Sequence, residues 1–253
     1  MRDSVKTIAQ VQAMREGGAI LARILKELRE YTKPGLNELE INDLVAEKIK
    51  KYGAKASYLE EEVKFPGVVC ISVNQELVHS PPVDYVLEEG DKVSYDLTIK
   101  YKGMHTDSAF TMIVGRELKG AEKQLLTVTE KSLYAGVEAV KPGARIGDIS
   151  AAVEAVLSTG RLGIVREYVG HGIGVRMHML PNVPNYGTRG TGEMLKVGDT
   201  ICIEPMASLG KEKTFVDDDG WTVSMKDGSL CAHFEHTVLV TDDGYEILTL
   251  YSA

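Results

Sequence analysis

The alternation of apolar and polar side chains is most regular over residues 93–100, where every second residue is apolar. A period of two predicts a half-buried β-strand. Lys102-Gly103 then provides a tight hairpin turn, with glycine supplying a positive φ. In that register Asp107 lies opposite Thr98, and Asp96 projects from the same face as Asp107. A one-residue slip would place the two aspartates on opposite faces, and a solvent-exposed hairpin with ordinary surface aspartates is the alternative interpretation.

A helical period predicts two helices early in the chain and two more after the hairpin. The first runs from a Thr7 cap to about Tyr31, and the second from an Asn37 cap to about Tyr52. The later helices cover about 122–140 and about 148–157. Further strands are predicted at residues 68–73, 77–79, 167–171, 201–204, 221–224, 232–240 and 245–250.

The chain also contains an internal repeat. Leu-Glu-Glu-Gly-Asp at 87–91 recurs as Leu-Lys-Val-Gly-Asp at 195–199, and Lys-Pro-Gly at 33–35 recurs at 141–143. Both recurrences have an offset of 108 residues (195 − 87 and 141 − 33). The repeat predicts two similar halves, about 1–115 and 116–253, each with two helices followed by strands that end in a carboxylate. A pseudo-two-fold axis would bring Asp96 and Glu204 together, and the interlocked halves favour one domain over 1–253.

The composition is that of a soluble globular protein, with 43% hydrophobic and 26% charged residues in a chain of 253. A net charge of −8 argues against nucleic acid as the main partner. No apolar run reaches the roughly 18 residues of a membrane span, and the first ten residues lack a signal-peptide core. The cysteines, Cys70, Cys202 and Cys231, are odd in number and lie in apolar strands. That pattern indicates reduced thiols and a cytoplasmic protein.

Four carboxylates and one histidine are the candidates for a single site: Asp96, Asp107, His171, Glu204 and Glu235. Carboxylate oxygens with one imidazole suit Mn(II), Fe(II) or Co(II). Four negative charges balance two divalent ions, and without metal the clustered carboxylates would take up protons through raised pKa values. The spacing alone is weak evidence, which the repeat strengthens.

The remaining histidines have plainer interpretations. His171 lies between glycines, where a simple turn is the alternative to a ligand. His79 and His178 each follow an apolar residue, which is more typical of core side chains. His105 and His233 are interpreted as structural.

Several motifs together resemble type I methionine aminopeptidases. They are residues 69–74 with His79, Gly-x-His-x-Asp at 103–107, residues 166–174, Ile-Glu-Pro-Met at 203–206, and Phe-Glu-His-Thr at 234–237. They follow the family's order and cover about residues 7–250. The resemblance implies an α/β (α+β) protein with the duplicated pita-bread fold, in which helices cover antiparallel sheets about a pseudo-two-fold axis.

The resemblance also implies removal of the initiator methionine from nascent proteins and peptides with a small second residue, by water activated between two divalent ions. Co, Mn and Fe are the candidate metals. The five candidates above would be the metal ligands, with Asp107 and Glu235 bridging the ions. Glu204 would also carry the proton, His178 would donate to the oxyanion, and His79 would contact the scissile amide. The methionine pocket would be lined by Phe65, Cys70, Met177 and Trp221, with His79 and His178 beside it.

The chain departs from the family pattern at five positions, here called the rim positions: Glu62, Ser80, Met179, Leu180 and His233. An X-Pro dipeptidase of the same fold is the alternative enzyme, although such enzymes usually carry an extra N-terminal domain and another histidine just before Gly-His-Gly. A non-catalytic binding module on this scaffold is the third interpretation. The expected partner is the N-terminal methionine of peptides and nascent chains, with the ribosome as a further candidate. A monomer is expected, with no specific nucleic acid and no membrane partner.

Overall fold

Helices in two consecutive pairs accompany the sheets in the computed structural model, which describes residues 6–60 and 63–251. The helices are α1 (Ile8–Tyr31), α2 (Glu38–Lys51), α3 (Gly120–Glu138) and α4 (Ile146–Thr159), with a short 3₁₀ turn at Ser57–Leu59. The predicted Thr7 cap is confirmed, because its hydroxyl accepts the Gln10 N–H while the Gln10 side chain accepts the Thr7 N–H. Asn37 caps α2 through the N–H of Leu39. No helix within the described residues is long and apolar enough to cross a membrane.

The strands of the first half are β1 (Lys55–Ala56), β2 (Cys70–Val73), β3 (Glu76–Val78), β4 (Lys92–Tyr101) and β5 (Met104–Ile113). Those of the second half are β6 (Gly163–Ile164), β7 (Gly170–Gly172), β8 (Met179–Val183), β9 (Thr200–Ile203), β10 (Met206–Ser208), β11 (Thr214–Val216), β12 (Val223–Met225), β13 (Cys231–His233), β14 (Glu235–Val240) and β15 (Tyr245–Ile247). In the described chain a nine-stranded sheet has the order β1-β4-β5-β14-β9-β7-β8, with β2 paired to β4 and β15 to β14. Two smaller sheets have the orders β13-β10-β6 and β11-β12-β3, and every pairing is antiparallel.

The central hairpin has the predicted register. Thr98 is paired directly with Asp107 along the ten-residue strands β4 and β5. Lys102 and Gly103 have φ values of 48° and 82°, and two positive φ angles match the twist of a two-residue hairpin. One expectation is wrong, because Asp96 lies in the middle of β4 rather than at its end. The strand continues past Asp96 because β5 pairs with it all the way to the turn.

The internal repeat is present in the hydrogen bonding as well as in the sequence. The Gly35 N–H donates to the Leu87 carbonyl at 2.8 Å, and the Gly143 N–H donates to the Leu195 carbonyl at 3.0 Å. The helices α2 and α4 that follow are both 14 residues long. All of these pairs keep the offset of 108 (143 − 35 and 195 − 87). The fold is therefore duplicated, with β5 of the first half paired to β14 of the second.

The two faces of the central strands differ in polarity. Tyr95, Leu97 and Ile99 are fully buried in the main hydrophobic core, against which the helices pack. Because successive strand residues point to opposite faces, Asp96 and Thr98 lie on the face away from that core. The polar chemistry is therefore on one side of the sheet and the apolar packing on the other.

Several predicted strands are shorter than expected. The strand predicted at 232–240 is two strands, β13 and β14, interrupted at Phe234, whose N–H donates to the Pro205 carbonyl at 3.3 Å. The chain breaks there because β13 pairs with β10 whereas β14 pairs with β5 and β9. The strand predicted at 167–171 is reduced to β7. The strands β1, β6, β8, β10 and β11 were not predicted.

Candidate metal centre

The ladder of the nine-stranded sheet brings the candidate carboxylates together. Cys70 on β2 is paired with Asp96 on β4, and Asp96 is paired with Ala109 on β5. On the other side of β5, Ala109 is paired with Glu235 at the start of β14. Directly opposed residues of antiparallel strands share a face, so Asp96 and Glu235 project on either side of the small Ala109 side chain. Two distant parts of the chain thus contribute carboxylates to one row.

Glu204 and His171 close the cluster from the neighbouring strands. The Nε2 atom of His171, in the middle of β7, lies 3.5 Å from Glu204 Oε1 and 4.0 Å from Asp107 Oδ2. Glu204 directly follows β9. The Tyr58 hydroxyl donates to Asp96 Oδ1 at 2.8 Å. All five residues that the sequence proposes as ligands line the same cavity.

The cavity has a volume of about 150 Å³ and one apolar wall. That wall contains the four predicted pocket residues and two that the sequence did not indicate: Phe65, Cys70, Met177, Trp221, Tyr58 and Val63. The Trp221 ring stands edge-on to Phe65 with centroids 5.4 Å apart, and Tyr58 packs on Phe65 at 5.2 Å. Tyr58 lies in the 3₁₀ turn after a two-residue strand, a segment with no periodic pattern that could have revealed it.

His79 and His178 are not core side chains, so that interpretation is wrong. Both are exposed and line the cavity. The ring of His178 stands edge-on to His171 with centroids 4.5 Å apart, and His79 stands edge-on to Tyr168 at 5.7 Å. His79 has a φ of 60°, a left-handed conformation that is costly for a residue with a side chain and is often found at functional sites.

His171 presents the nitrogen that a metal ligand needs. Its Nδ1 lies 3.0 Å from the Gly172 carbonyl, and since a carbonyl only accepts, Nδ1 carries the proton. The lone pair is then on Nε2, which faces the carboxylates. Burial, followed by the charge of His178, lowers the pKa of His171 to about 3, so the ring is neutral near pH 7.

The protein's own groups leave the clustered carboxylates electrostatically unsatisfied. Burial raises the pKa of Asp96, Glu204 and Glu235 well above the usual range, and the neighbouring carboxylates add to the shift. Two buried atoms, Asp107 Oδ1 and Glu235 Oε1, have no hydrogen-bond partner among the described residues. Buried acceptors without donors, beside a neutral imidazole, fit divalent cations.

A thiol lies against the same cluster. Donor atoms of Asp107, His171, Glu235 and Cys202 all lie within 4.8 Å of one another. The sequence treats Cys202 only as a reduced core thiol. The alternation along β9 could have placed Cys202 at the cluster, because residues two positions apart on a strand point to the same face and Cys202 lies two positions before Glu204.

The rim positions differ in their surroundings. Ser80 is buried, and its hydroxyl has no hydrogen-bond partner within the described part of the chain. Met179 is buried whereas Leu180 is 69% exposed. His233, interpreted from the sequence as structural, lies beside a proposed metal ligand: its Nε2 is 3.6 Å from Glu204 Oε2. Glu62 lies outside the described residues. His105 remains apart from the cavity, with its Nδ1 2.9 Å from Ser57 Oγ.

The sequence of the chain matches a known protein family. Residues 12–242 match the sequence profile of metallopeptidase family M24. The chain belongs to metallopeptidase family M24. It is thus a metal-dependent hydrolase of peptide bonds. Family membership confirms the expectation that the protein uses divalent metal ions, without identifying the metal or the number of ions.

Within M24, this chain is similar to methionine aminopeptidases along nearly its whole length. Methionine aminopeptidase 1 of Bacillus subtilis is 43% identical over 96% of this chain and 98% of its own. The crystal structure of methionine aminopeptidase from Thermotoga maritima has a TM-score of 0.94 at 40% identity, covering 97% of this chain and 98% of that one. The resemblance found in the sequence motifs is confirmed, and so is the pita-bread fold.

The rival family shares the M24 fold at a greater distance. Prolidase from Pyrococcus furiosus has a TM-score of 0.77 at 22% identity, and the match covers 99% of this chain but 66% of the prolidase. That likeness concerns the fold alone. The chain therefore matches methionine aminopeptidases along their whole length and prolidase along two thirds of its length.

Proposed function

We propose that this M24 chain is a methionyl aminopeptidase that removes the initiator methionine from nascent proteins and peptides whose second residue is small. One observation carries the proposal. A single cavity joins an apolar wall of Phe65, Cys70, Met177 and Trp221 to a cluster of four carboxylates and a histidine. The wall suits a thioether side chain, and the cluster suits hydrolysis of the adjacent bond.

The proposed cofactors are two divalent ions, with Co, Mn and Fe as candidates. The residues that would hold them are Asp96, Asp107, His171, Glu204 and Glu235. Bound there, the ions would polarise the scissile carbonyl and acidify a water molecule. Asp107 and Glu235 are supported as ligands because each has a buried oxygen without a hydrogen-bond donor among the described residues.

The protein's own residues would orient the substrate. The methionine side chain would lie between Met177 and the packed rings of Phe65 and Trp221, which are shaped and polarizable surfaces. Divalent ions held by the carboxylate cluster would also bind the lone pair of a free α-amine, which an internal peptide bond does not offer. The requirement for a free amine would make the enzyme an exopeptidase rather than an endopeptidase.

Two histidines and a glutamate would act on the scissile bond. His178 lies beside His171 at the cavity and would donate to the oxygen as negative charge develops on it. His79, held in its left-handed conformation, would contact the scissile amide. Glu204 would take a proton from the attacking water and deliver it to the leaving amine.

We further propose that residues 1–253 act as one catalytic domain of two halves, about 1–115 and 116–253. The pairing of β5 with β14 supports this, because it joins the halves within one sheet. The proposed setting is a cytoplasmic monomer acting on nascent chains, with the ribosome as a candidate partner. The net charge of −8 supports a substrate with a cationic N-terminus over nucleic acid.

The test is a panel of Met-X-Ser peptides assayed by free methionine with Mn(II), Fe(II) or Co(II). Peptides with X as Gly, Ala, Ser, Cys, Thr, Pro or Val should be cleaved, and those with Leu, Lys or Glu rejected, because a long second side chain would meet the ligands and His79. Norleucine-Ala-Ser should be cleaved about 10- to 200-fold more slowly than Met-Ala-Ser, since a near-isostere costs only about 1–3 kcal/mol in such a pocket.

Three outcomes would contradict the proposal. Comparable kcat/KM for Met-Ala-Ser and Met-Lys-Ser would remove the small-residue rule. Faster cleavage of Ala-Pro-Ser than of Met-Ala-Ser would favour an X-Pro peptidase. Tight metal binding without turnover of any peptide would favour the non-catalytic module.

A further inference from the structure

His233 is a buried histidine with no hydrogen bond from its ring. It is 1% exposed, and neither ring nitrogen has a hydrogen-bond partner among the described residues. Its backbone, in contrast, is fixed on both sides by one hydroxyl. The His233 N–H donates to Thr111 Oγ1 at 3.0 Å, and that hydroxyl donates to the His233 carbonyl at 2.8 Å. The ring is therefore held in place by packing and backbone contacts alone, and it has a free N–H donor.

A carboxylate oxygen of Glu204 lies close to this ring. His233 Nε2 lies 3.6 Å from Glu204 Oε2, and His171 Nε2 lies 3.5 Å from Glu204 Oε1. Glu204 is thus placed between two imidazoles, one facing each oxygen. The two rings are not equivalent, because His171 has its proton on Nδ1, directed at the Gly172 carbonyl. Neutral His171 has no N–H to offer Glu204, whereas neither ring nitrogen of His233 has another partner among the described residues, so its proton is available to Nε2.

We propose that His233 is a positioning residue for Glu204, donating its Nε2–H to Oε2 so that Oε1 stays directed at His171 and the cation position. The inference rests on the proposed function, since it assigns work to Glu204 in that site. The separation of 3.6 Å is longer than a hydrogen bond, and catalytic hydrogen bonds commonly shorten when substrate binds. Holding one oxygen of a ligand carboxylate fixes the orientation of the other.

Metal affinity provides the first test, because it does not depend on turnover. His233→Gln keeps an N–H donor, and His233→Met fills the space without one. Isothermal titration calorimetry would measure Mn(II) binding to protein freed of metal by a chelator that is then removed. His233→Met should bind Mn(II) about 10- to 100-fold more weakly than wild type, the usual cost of losing a hydrogen-bond partner of a metal ligand. His233→Gln should stay within about threefold of wild type. Equal affinities for the Gln and Met variants would overturn the proposal.

A matched control is available three residues along the chain. His236 lies on the other face, where its Nδ1 is 2.9 Å from Thr249 Oγ1, and it does not line the cavity. His236→Gln removes a half-buried imidazole from the neighbouring strand without removing a donor from Glu204. Its Mn(II) affinity should equal that of wild type. An equal loss in His236→Gln and His233→Met would mean that the loss reflects packing, and would overturn the proposal.

The split between kcat and KM gives a second readout. His233 does not line the cavity, so His233→Met should lower kcat for Met-Ala-Ser while leaving KM within about twofold of wild type. His233→Gln should restore kcat. A rise in KM with unchanged kcat would assign His233 to substrate binding instead, and would count against the inference.

The tautomer of His233 can be observed in the wild-type protein, so the question stays decidable if a variant fails to fold. Nitrogen-resolved imidazole NMR, with Zn(II) as a diamagnetic probe, should show His233 protonated on Nε2 and His171 protonated on Nδ1. Protonation of His233 on Nδ1, or a metal-bound Nε2, would overturn the donor role. This result is independent of catalysis. An inactive protein with the expected tautomers would defeat the proposed function and leave the positioning role intact.

Discussion

The two repeated halves build their hairpins differently. In the first half β4 and β5 are joined by the two-residue turn at Lys102-Gly103 and stay paired for ten residues. In the second half the corresponding strands are β9 and β14. Glu204 follows β9, Glu235 begins β14, and residues 205–234 lie between them and form β10 to β13. The β4–β5 hairpin is continuous, whereas a 30-residue insertion (234 − 205 + 1), here called the excursion, separates β9 from β14.

The difference separates two tasks. Both hairpins deliver a pair of carboxylates to the same face, so charge is supplied by the feature that the halves share. The excursion supplies what the halves do not share: Trp221 for the apolar wall, and His233 beside Glu204. The duplicated scaffold thus provides the candidate cation site, and the interrupted hairpin contributes to the apolar wall of the proposed substrate pocket.

The largest effect on kcat is expected at a pair of residues that the repeat makes equivalent but to which we assign different roles. Asp96 and Glu204 occupy the same position in the repeat (204 − 96 = 108). Glu204→Gln should lower kcat by about 10²- to 10⁴-fold, because proton transfer is lost along with ligand charge. Asp96→Asn removes only ligand charge, so saturating Mn(II) should restore more of its activity. Steady-state kinetics across a Mn(II) series measures both, and identical responses would mean that the two halves contribute in the same way.

A buried carboxyl distinguishes the halves far from the site. Glu38 opens α2 and is 2% exposed, whereas Ile146 opens α4 at the equivalent position. Burial raises the pKa of Glu38 to about 8. The folded protein then holds a proton that the unfolded chain releases above about pH 4.5, so this contribution to stability is complete below that pH and is lost as pH rises through 8.

Glu38→Gln should therefore abolish a pH-dependent loss on the order of 4 kcal/mol in the free energy of unfolding. Urea unfolding of metal-loaded protein at pH 5 and pH 8.5 measures it as the difference between variant and wild type. Glu40→Gln, at an exposed position of the same helix, is the control and should track wild type. Parallel profiles for wild type and Glu38→Gln would show that Glu38 ionises freely in the folded state.

A variant of His178 tests whether the second half also contributes the proposed donor to the oxyanion. His178→Ala should lower kcat by about 10²- to 10³-fold, the usual cost of losing one donor to an oxyanion. Metal affinity should be unchanged, because His178 is not among the proposed ligands. Kinetics with Met-Ala-Ser and a Mn(II) titration measure the two quantities. A change in KM alone would remove the donor role.

The smallest expected effect concerns how the halves are held together. Because the proposed ligands come from both hairpins, metal binding to the folded form should stabilise the whole chain. Mn(II) at 100 times its Kd should add about 2.7 kcal/mol, or roughly 5–10 °C in Tm for a chain of this size. Calorimetric melting of chelated and reloaded protein measures it. Asp107→Asn should show a much smaller rise, and an unchanged wild-type midpoint would contradict the idea.

The sequence predicted those features that depend on local periodicity. The register of the central hairpin followed from the alternation over residues 93–100 and from a turn that only certain residues allow. The caps at Thr7 and Asn37 followed from side chains that satisfy free N–H groups. The repeat then placed Asp96 and Glu204 together, since a constant offset implies equivalent positions.

What the sequence missed depends on partners distant along the chain. Strand β10 has three residues and exists because β13 and β6 pair with it. The break at Phe234 arises where the chain changes partners, which no local pattern records. The position of His79 depends on a left-handed residue after a strand, and that of His233 on a hydroxyl at Thr111, 122 residues away.

Ala109 is the one residue of the central row that contributes almost no side chain. Strands lie about 4.8 Å apart, so the Cα atoms of Asp96 and Glu235, one strand away on each side, are about 10 Å apart. Ala109 acts as a spacer that leaves this gap open for cations. A chain could keep all five proposed ligands, acquire a leucine here, and lose the space that cations would need. The size of the residue at this position should therefore be inspected together with the proposed ligands.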